Sequence, residues 1–194
     1  MLKLITAQTT WAVTAANAKV HLHITSDDED DYIEDILIKA AQEACENFTG
    51  RKFSNGKYDY YLDGFPSGSD LAGVIYIPYS PVVAYHESYD FIIKYDDTDD
   101  AEQTLTQDTD YRPDIISAPP RVVPIDNWPD TYDEKINSVR ISFQTGYTSP
   151  DFIPLAVIEA MYLLIGDMYL NREDSVKRFP TAVQRLLMPL RVWV

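Results

Sequence analysis

The stretch SDDEDDYIEDILIKAAQEACENFTG, residues Ser26–Gly50, decides the fold class. Ser26 followed three residues later by Glu29 has the form of a capping box, in which each side chain satisfies a free backbone N–H at a helix start. Asp27, Asp28, Asp30 and Asp31 crowd the first turns, where the helix dipole favours anions. Ile33, Ile36, Leu37, Ala40, Ala41, Ala44 and Phe48 then recur at helical spacing, and Gly50 supplies a left-handed stop. The spacing predicts a helix over about 27–49.

Upstream, Thr14 reads as the N-cap of a shorter helix to about His23, with Ala15, Ala18 and Leu22 on one face. Downstream the period changes from helical to two. Tyr58–Leu62 alternates and turns at Asp63-Gly64, and Val74–Ile77, Val82–Glu87, Phe91–Tyr95, Gln103–Leu105 and Val139–Phe143 are further strand candidates. Pro119-Pro120, Pro124 and Trp128-Pro129 read as loops or sheet edges, because proline cannot donate to a ladder. After Gly146-Tyr147 the helical period returns. Pro154 opens a third helix to about Asn171, and Pro180 opens a fourth, carrying Val183, Leu186, Leu187 and Leu190 and ended by Pro189. The expectation is an α+β subunit, 1–194 as a single domain. Its frame is four helices near 14–23, 27–49, 153–171 and 180–188, with a β-rich insertion at about 57–147.

The third helix is apolar on more than one face. Val157, Met161, Leu164, Ile165 and Met168 form one stripe, and Tyr162, Leu163, Tyr169 and Leu170 cover much of the remainder. Such a helix is buried on several sides, either wholly within its own domain or partly against another subunit. The second possibility makes Tyr162, Leu163, Tyr169 and Leu170 candidate subunit contacts, with Arg172 and Glu173 as a rim ion pair.

Charge narrows the function. The 194 residues hold 16 Lys+Arg against 31 Asp+Glu, a net charge of −15. That balance excludes a protein that grips nucleic acid by neutralising phosphates, and argues against docking on an anionic membrane. Residues 57–147 carry six bases and seventeen acids, so the excess sits in the insertion. Within it Asp96, Asp97, Asp99, Asp100 and Glu102 mark an acidic hairpin tip, a candidate channel-facing or solvent-facing surface. The chain is expected to be intracellular and soluble: Met1–Trp11 has one lysine and no run of signal-peptide length, and no stretch is long enough to span a bilayer.

No Gly-rich phosphate loop, nucleophile elbow or zincin spacing is present, so no catalytic residue, cofactor or metal site is expected. His21-x-His23 would point to different sides of a helix, His86 stands alone, and Cys45 reads as a small buried hydrophobe. The Asp96–Asp100 turn lacks the loop glycine and distal bidentate Glu of a calcium hand. A carbohydrate- or calcium-binding β module, or a carboxylate-dependent hydrolase of wall polymers, are the alternatives from other classes.

The ordered pieces Val13-Thr14-Ala15-Ala16-Asn17-Ala18-Lys19-Val20-His21-Leu22, Phe48-Thr49-Gly50-Arg51, Leu62-Asp63-Gly64-Phe65-Pro66, Asp110-Tyr111-Arg112, Pro120-Arg121-Val122-Val123-Pro124 and Trp128-Pro129 run through the chain. Val139-Arg140, Gly146-Tyr147, Tyr169-x-Asn171-Arg172-Glu173 and Arg185-Leu186-Leu187-x-Pro189-x-Arg191 complete them. Together they resemble the head–tail connector proteins of tailed bacteriophages, with Asn17 where relatives usually carry a capping Glu. The resemblance implies a non-enzymatic virion protein of the neck, made in the host cytoplasm. It would form a homo-oligomeric, dodecameric ring below the portal protein that extends the DNA channel and docks the next neck, stopper or tail-completion protein. DNA would pass through without tight binding.

The charge balance generates a direct expectation. Random duplex DNA at physiological salt should not bind with sub-micromolar affinity in a filter or anisotropy titration, because few counterions are released and repulsion is added. Tight, steeply salt-dependent binding would contradict the reading.

Overall fold

The computed structural model describes residues 1–6, 11–67, 73–83, 90–132, 134–172 and 179–193. The chain divides into two compact units: a helical unit of Thr9–Ser54 with Tyr147–Trp193, and a β unit of Met1–Gln8, Asn55–Gly146 and Val194. The architecture is mixed α+β, as the change of period implies.

In the helical unit, α1 spans Ala15–Leu22; Thr14 caps it by accepting from the Asn17 N–H, and His23 ends it in the left-handed conformation (φ 56°). The long helix, α2, is one continuous run over 30–49: an α-turn Asp30–Tyr32, a π-helical stretch Ile33–Ile38, and an α-helix Lys39–Thr49 closed by Gly50 at φ 68°. It begins three residues later than the sequence suggested, because the capping box does not form. The Ser26 hydroxyl turns onto Asp28, and the Glu29 carboxylate is taken by Tyr169 and Arg172. The wider winding of the π stretch also moves the apolar stripe. Leu37 and Ile38 both face inward, whereas Ile36, expected on the core face, is 54% exposed.

Helix α3 spans Leu155–Leu170 after a 3-10 turn at Pro150–Phe152, and α4 spans Thr181–Leu187, running into a 3-10 turn Met188–Leu190 at Pro189. α3 is central, packing against α1, α2 and α4. Its Val157, Ala160, Met161, Leu164 and Ile165 are fully or almost fully buried among Ala18, Ile33, Leu37, Ile38, Ala41, Cys45, Val183 and Leu187. Three helical neighbours explain why α3 is apolar on several faces.

In the β unit the strands are β1 Leu2–Thr6, β2 Gly56–Leu62, β3 Ile75–Tyr76, β4 Val82–Val83, β5 Phe91–Asp96, β6 Glu102–Leu105, β7 Tyr111–Asp114, β8 Arg121–Pro124 and β9 Val139–Thr145. One antiparallel sheet runs β1-β2-β9-β5-β6, with β4 also pairing β9; a smaller one runs β3-β8-β7. Along β9, Val139, Ile141, Phe143 and Thr145 are buried while Arg140, Ser142 and Gln144 alternate outward. Side chains from both sheets share one core: Ile75, Ile77, Tyr111 and Val122 meet Phe91, Ile93, Ile141 and Phe143. The buried Tyr111 hydroxyl donates to the Phe91 carbonyl (2.8 Å).

Three strands were not read from the sequence. β1 is a five-residue segment with little alternation, β7 carries Pro113, and β8 ends in Pro124, which reads as a loop or sheet edge. β7 is an edge strand, where the missing N–H of Pro113 costs little. Of the Val82–Glu87 candidate, 84–87 lie outside the described residues.

A buried polar cluster fixes the helical unit's chain crossings. Gln42 is fully buried: its Oε1 accepts from the Ala12 N–H (3.0 Å), and its Nε2 donates to Glu46 (3.1 Å) and to the Ser54 hydroxyl (2.7 Å). Glu46, 4% exposed, accepts from the Phe53 N–H (3.0 Å) and pairs with Lys52 (2.7 Å). Removing one partner of a buried ion pair strands the rest. Glu46→Ala should therefore lower unfolding free energy by about 2–4 kcal/mol in a denaturant titration. Glu43→Ala, on the exposed side of the same helix, should change it by less than about 0.5 kcal/mol.

Candidate assembly surface

The side chains proposed as subunit contacts lie on α3 and just beyond it. Tyr162 is half-buried and stacks on His21 at 5.0 Å and 12°. Leu163 is partly buried against the helical core. The Tyr169 hydroxyl donates to one Glu29 oxygen, and Arg172 donates to the other. The Arg172 guanidinium also lies over the rings of Tyr32 (4.8 Å) and Tyr169 (4.9 Å). Leu170 is the outlier at 79% exposed. Glu173 lies outside the described residues, so its pairing with Arg172 is not described.

The end of α3 is thus tied to the start of α2 by four side chains, Glu29, Tyr32, Tyr169 and Arg172. Sequence reasoning missed this cluster: Glu29 and Arg172 stand 143 residues apart, and no local spacing reports such a pairing. Hydrogen bonds from Tyr169, then Arg172, hold the Glu29 carboxyl below its ordinary value, and the same bond to Glu29 pushes the Tyr169 phenol up.

In the β unit the acidic residues fold on themselves. Asp97 accepts from the N–H groups of Asp99 and Ala101 (both 3.0 Å) and from Gln103 (2.7 Å), building the β5–β6 turn. Those bonds, Ala101 first, hold its carboxyl low. Lys135 bridges Asp96 (3.0 Å) and Asp100 (2.7 Å), and Glu102 pairs with Lys94 (2.6 Å) and Arg140 (3.1 Å). Asp99 has only its backbone N–H in this network. The carboxylates the sequence places together therefore meet lysines, an arginine and backbone amides instead of converging on one point. Among the described residues no group of three His, Cys, Asp or Glu side chains could hold a metal ion.

The other chemistry-bearing residues are equally occupied. Cys45 is fully buried, and burial first, then the nearby Glu46 charge, pushes its thiol up to about 12. A thiol held protonated is a poor nucleophile. The Phe65 and Trp128 rings, an aromatic pair suited to sugars, stack on each other at 4.7 Å and 5°. Trp128 is 8% exposed and its Nε1 donates to the Gly73 carbonyl (2.6 Å), so its faces serve the core. His86 lies outside the described residues.

Residues 13–88 match the family model described as phage gp6-like head-tail connector protein, in line with the resemblance carried by the sequence. No curated protein sequence matches the chain. Among solved structures, the neck of an empty GTA particle computed with C6 symmetry contains a chain of similar fold. It has TM-score 0.79 and 21% identity, covering 100% of this chain and 96% of that one. The virion of a native gene transfer agent (GTA) particle gives TM-score 0.78 and 22% identity over the same shares of the two chains. The neck of a native GTA particle computed with C12 symmetry gives 0.70 and 21%, again over 100% and 96%. These likenesses establish a shared fold along the whole chain.

The Glu29 cluster makes stability depend on pH in a defined sense. A carboxyl whose folded value lies below its ordinary 4.5 contributes stability that is present above that value and lost as pH falls through the folded one. Glu29→Gln should therefore flatten the acid limb of a stability-versus-pH curve, measured by thermal melting below about pH 5, while leaving the alkaline limb unchanged. An unaltered acid limb would show that Glu29 does not act through its charge.

Proposed function

We propose that this chain, whose residues 13–88 carry the match to the phage gp6-like head-tail connector family, is a structural connector subunit in the neck of a tailed-phage or phage-like particle. Both units, 1–194, serve as one subunit of a ring below the portal, which extends the DNA channel and docks the next neck or tail-completion protein. The family match is the observation that carries this reading: it spans α1, α2 and strands β2, β3 and β4. The likeness to chains in solved GTA neck structures, computed with six-fold and twelve-fold symmetry, supports a ring of twelve.

The physical chemistry agrees with a passive, non-enzymatic part. A ring is built from heterologous contacts, so each subunit needs two different adhesive faces. Of the α3 side chains named as candidate contacts, Leu170 is left exposed to contribute to one of them. A net charge of −15 gives a channel wall that repels phosphate, so DNA slides instead of adhering. Among the described residues no helix is long and apolar enough to cross a membrane.

Native mass measurement of the purified chain, alone and mixed with portal protein, tests the reading. A complex holding about twelve copies per portal ring is expected, and Leu170→Ser should weaken it without lowering the melting temperature. A chain that stays monomeric in both conditions would overturn the proposal.

A further inference from the structure

The C-terminal end of α2 and the last residues of the chain form a cationic, aromatic surface on a strongly acidic protein. The Arg191 guanidinium lies over the Trp193 ring at 3.9 Å and the Phe48 ring at 5.3 Å, and Phe48 stacks on Phe179 at 5.0 Å and 10°. The column is held in place by the backbone. The Val192 N–H donates to the Thr49 carbonyl (2.8 Å), and Arg51 Nε donates to the Leu190 carbonyl (2.6 Å). Gly50, at φ 68°, lets the tail pass so closely that a Cβ there would sit 3.2 Å from the Val192 oxygen. A surface ordered in advance loses little entropy on binding.

Among the described residues, two arginines of the helical unit make no ion pair. Arg121, Arg140 and Arg172 each pair with a carboxylate. Arg185, exposed in the last turn of α4, makes no ion pair, and Arg191 meets only aromatic faces. Trp193 stands 69% exposed beside Arg191. Exposed tryptophan with arginine is the composition that dominates binding energy at protein interfaces.

We propose that Arg185, Arg191 and Trp193 form one face of a head-to-tail contact whose occupant is the acidic surface of a second copy of this chain. Charge complementarity selects that occupant: residues 57–147 of the same chain carry seventeen acids against six bases. Two copies of the cationic face would repel each other, so the contact joins unlike faces, which is the geometry that closes a ring. The tryptophan supplies apolar area, and the arginines steer and fix register. The inference deepens the connector reading and rests on it.

Sedimentation velocity of the full chain, with and without portal protein, across a salt series tests this. Wild-type association should weaken with salt, and Arg185→Glu combined with Arg191→Glu should raise the concentration needed for assembly about ten-fold or more. Trp193→Ser should weaken assembly at all salt concentrations. Arg185 is exposed and makes no ion pair among the described residues, so the melting temperature of Arg185→Glu alone should stay at the wild-type value while assembly falls. Unchanged assembly of these variants overturns the proposal and leaves the connector reading intact. A wild-type chain that never associates overturns the connector reading itself. Variants that assemble normally but lose binding to duplex DNA would assign the face to nucleic acid and overturn the proposal.

Discussion

The helical unit depends on one buried polar cluster, in which Gln42 and Glu46 satisfy the Ala12 N–H, the Phe53 N–H, the Ser54 hydroxyl and the Lys52 ammonium. Each of those groups lies where the chain enters or leaves the unit. Next to Ser54, Tyr147 brings the chain back, its N–H donating to the Phe53 carbonyl (3.2 Å). A core of leucine and isoleucine alone would leave these crossings free to slide, since apolar contacts are not directional. Two amide and carboxylate side chains, one turn apart on α2, give them a fixed register. An unpaired buried amide or carboxylate costs more than the pairing gains, so the arrangement also disfavours alternatives.

With the crossings fixed, the remaining apolar surface can be assigned. α3 is surrounded by α1, α2 and α4, and its aromatic flank is engaged inside the unit by His21 and Glu29. Exposed apolar side chains remain at both ends of α3, at Leu155 and Leu170, and at Trp193 beside Arg191. The charge is distributed in the same spirit. The acidic hairpin of β5 and β6 is organised by its own amides and by Lys135, within a net negative β unit. Such a subunit has sticky ends and a repellent surface, which suits a component of an open channel.

Much of this was legible in the sequence where the signal is local. Thr14 caps α1 as its spacing implies, Gly50 ends α2, and the alternation of β9 reads directly into buried and outward positions. The failures have physical causes. Ser26 and Glu29 fit a capping box, but Glu29 meets a stronger, charged partner in Arg172, 143 residues away. Ile36 fits the helical stripe, but the π stretch turns it outward and Ile38 inward. β7 and β8 were hidden by prolines, tolerated because β7 is an edge and Pro124 closes its strand. The α3 side chains were legible as unusually apolar, yet periodicity alone could not tell three neighbours within the unit from a neighbouring subunit.

The central claim, that this chain is a ring-forming connector subunit, is tested most directly by a cryo-electron microscopy reconstruction of the particle neck containing it. The account predicts a closed ring of this chain directly below the portal, with twelve copies, an open channel and the buried face of α3 packed within each subunit. Density showing the chain as a single copy, outside the neck, or bound to the shell as an isolated monomer would contradict it.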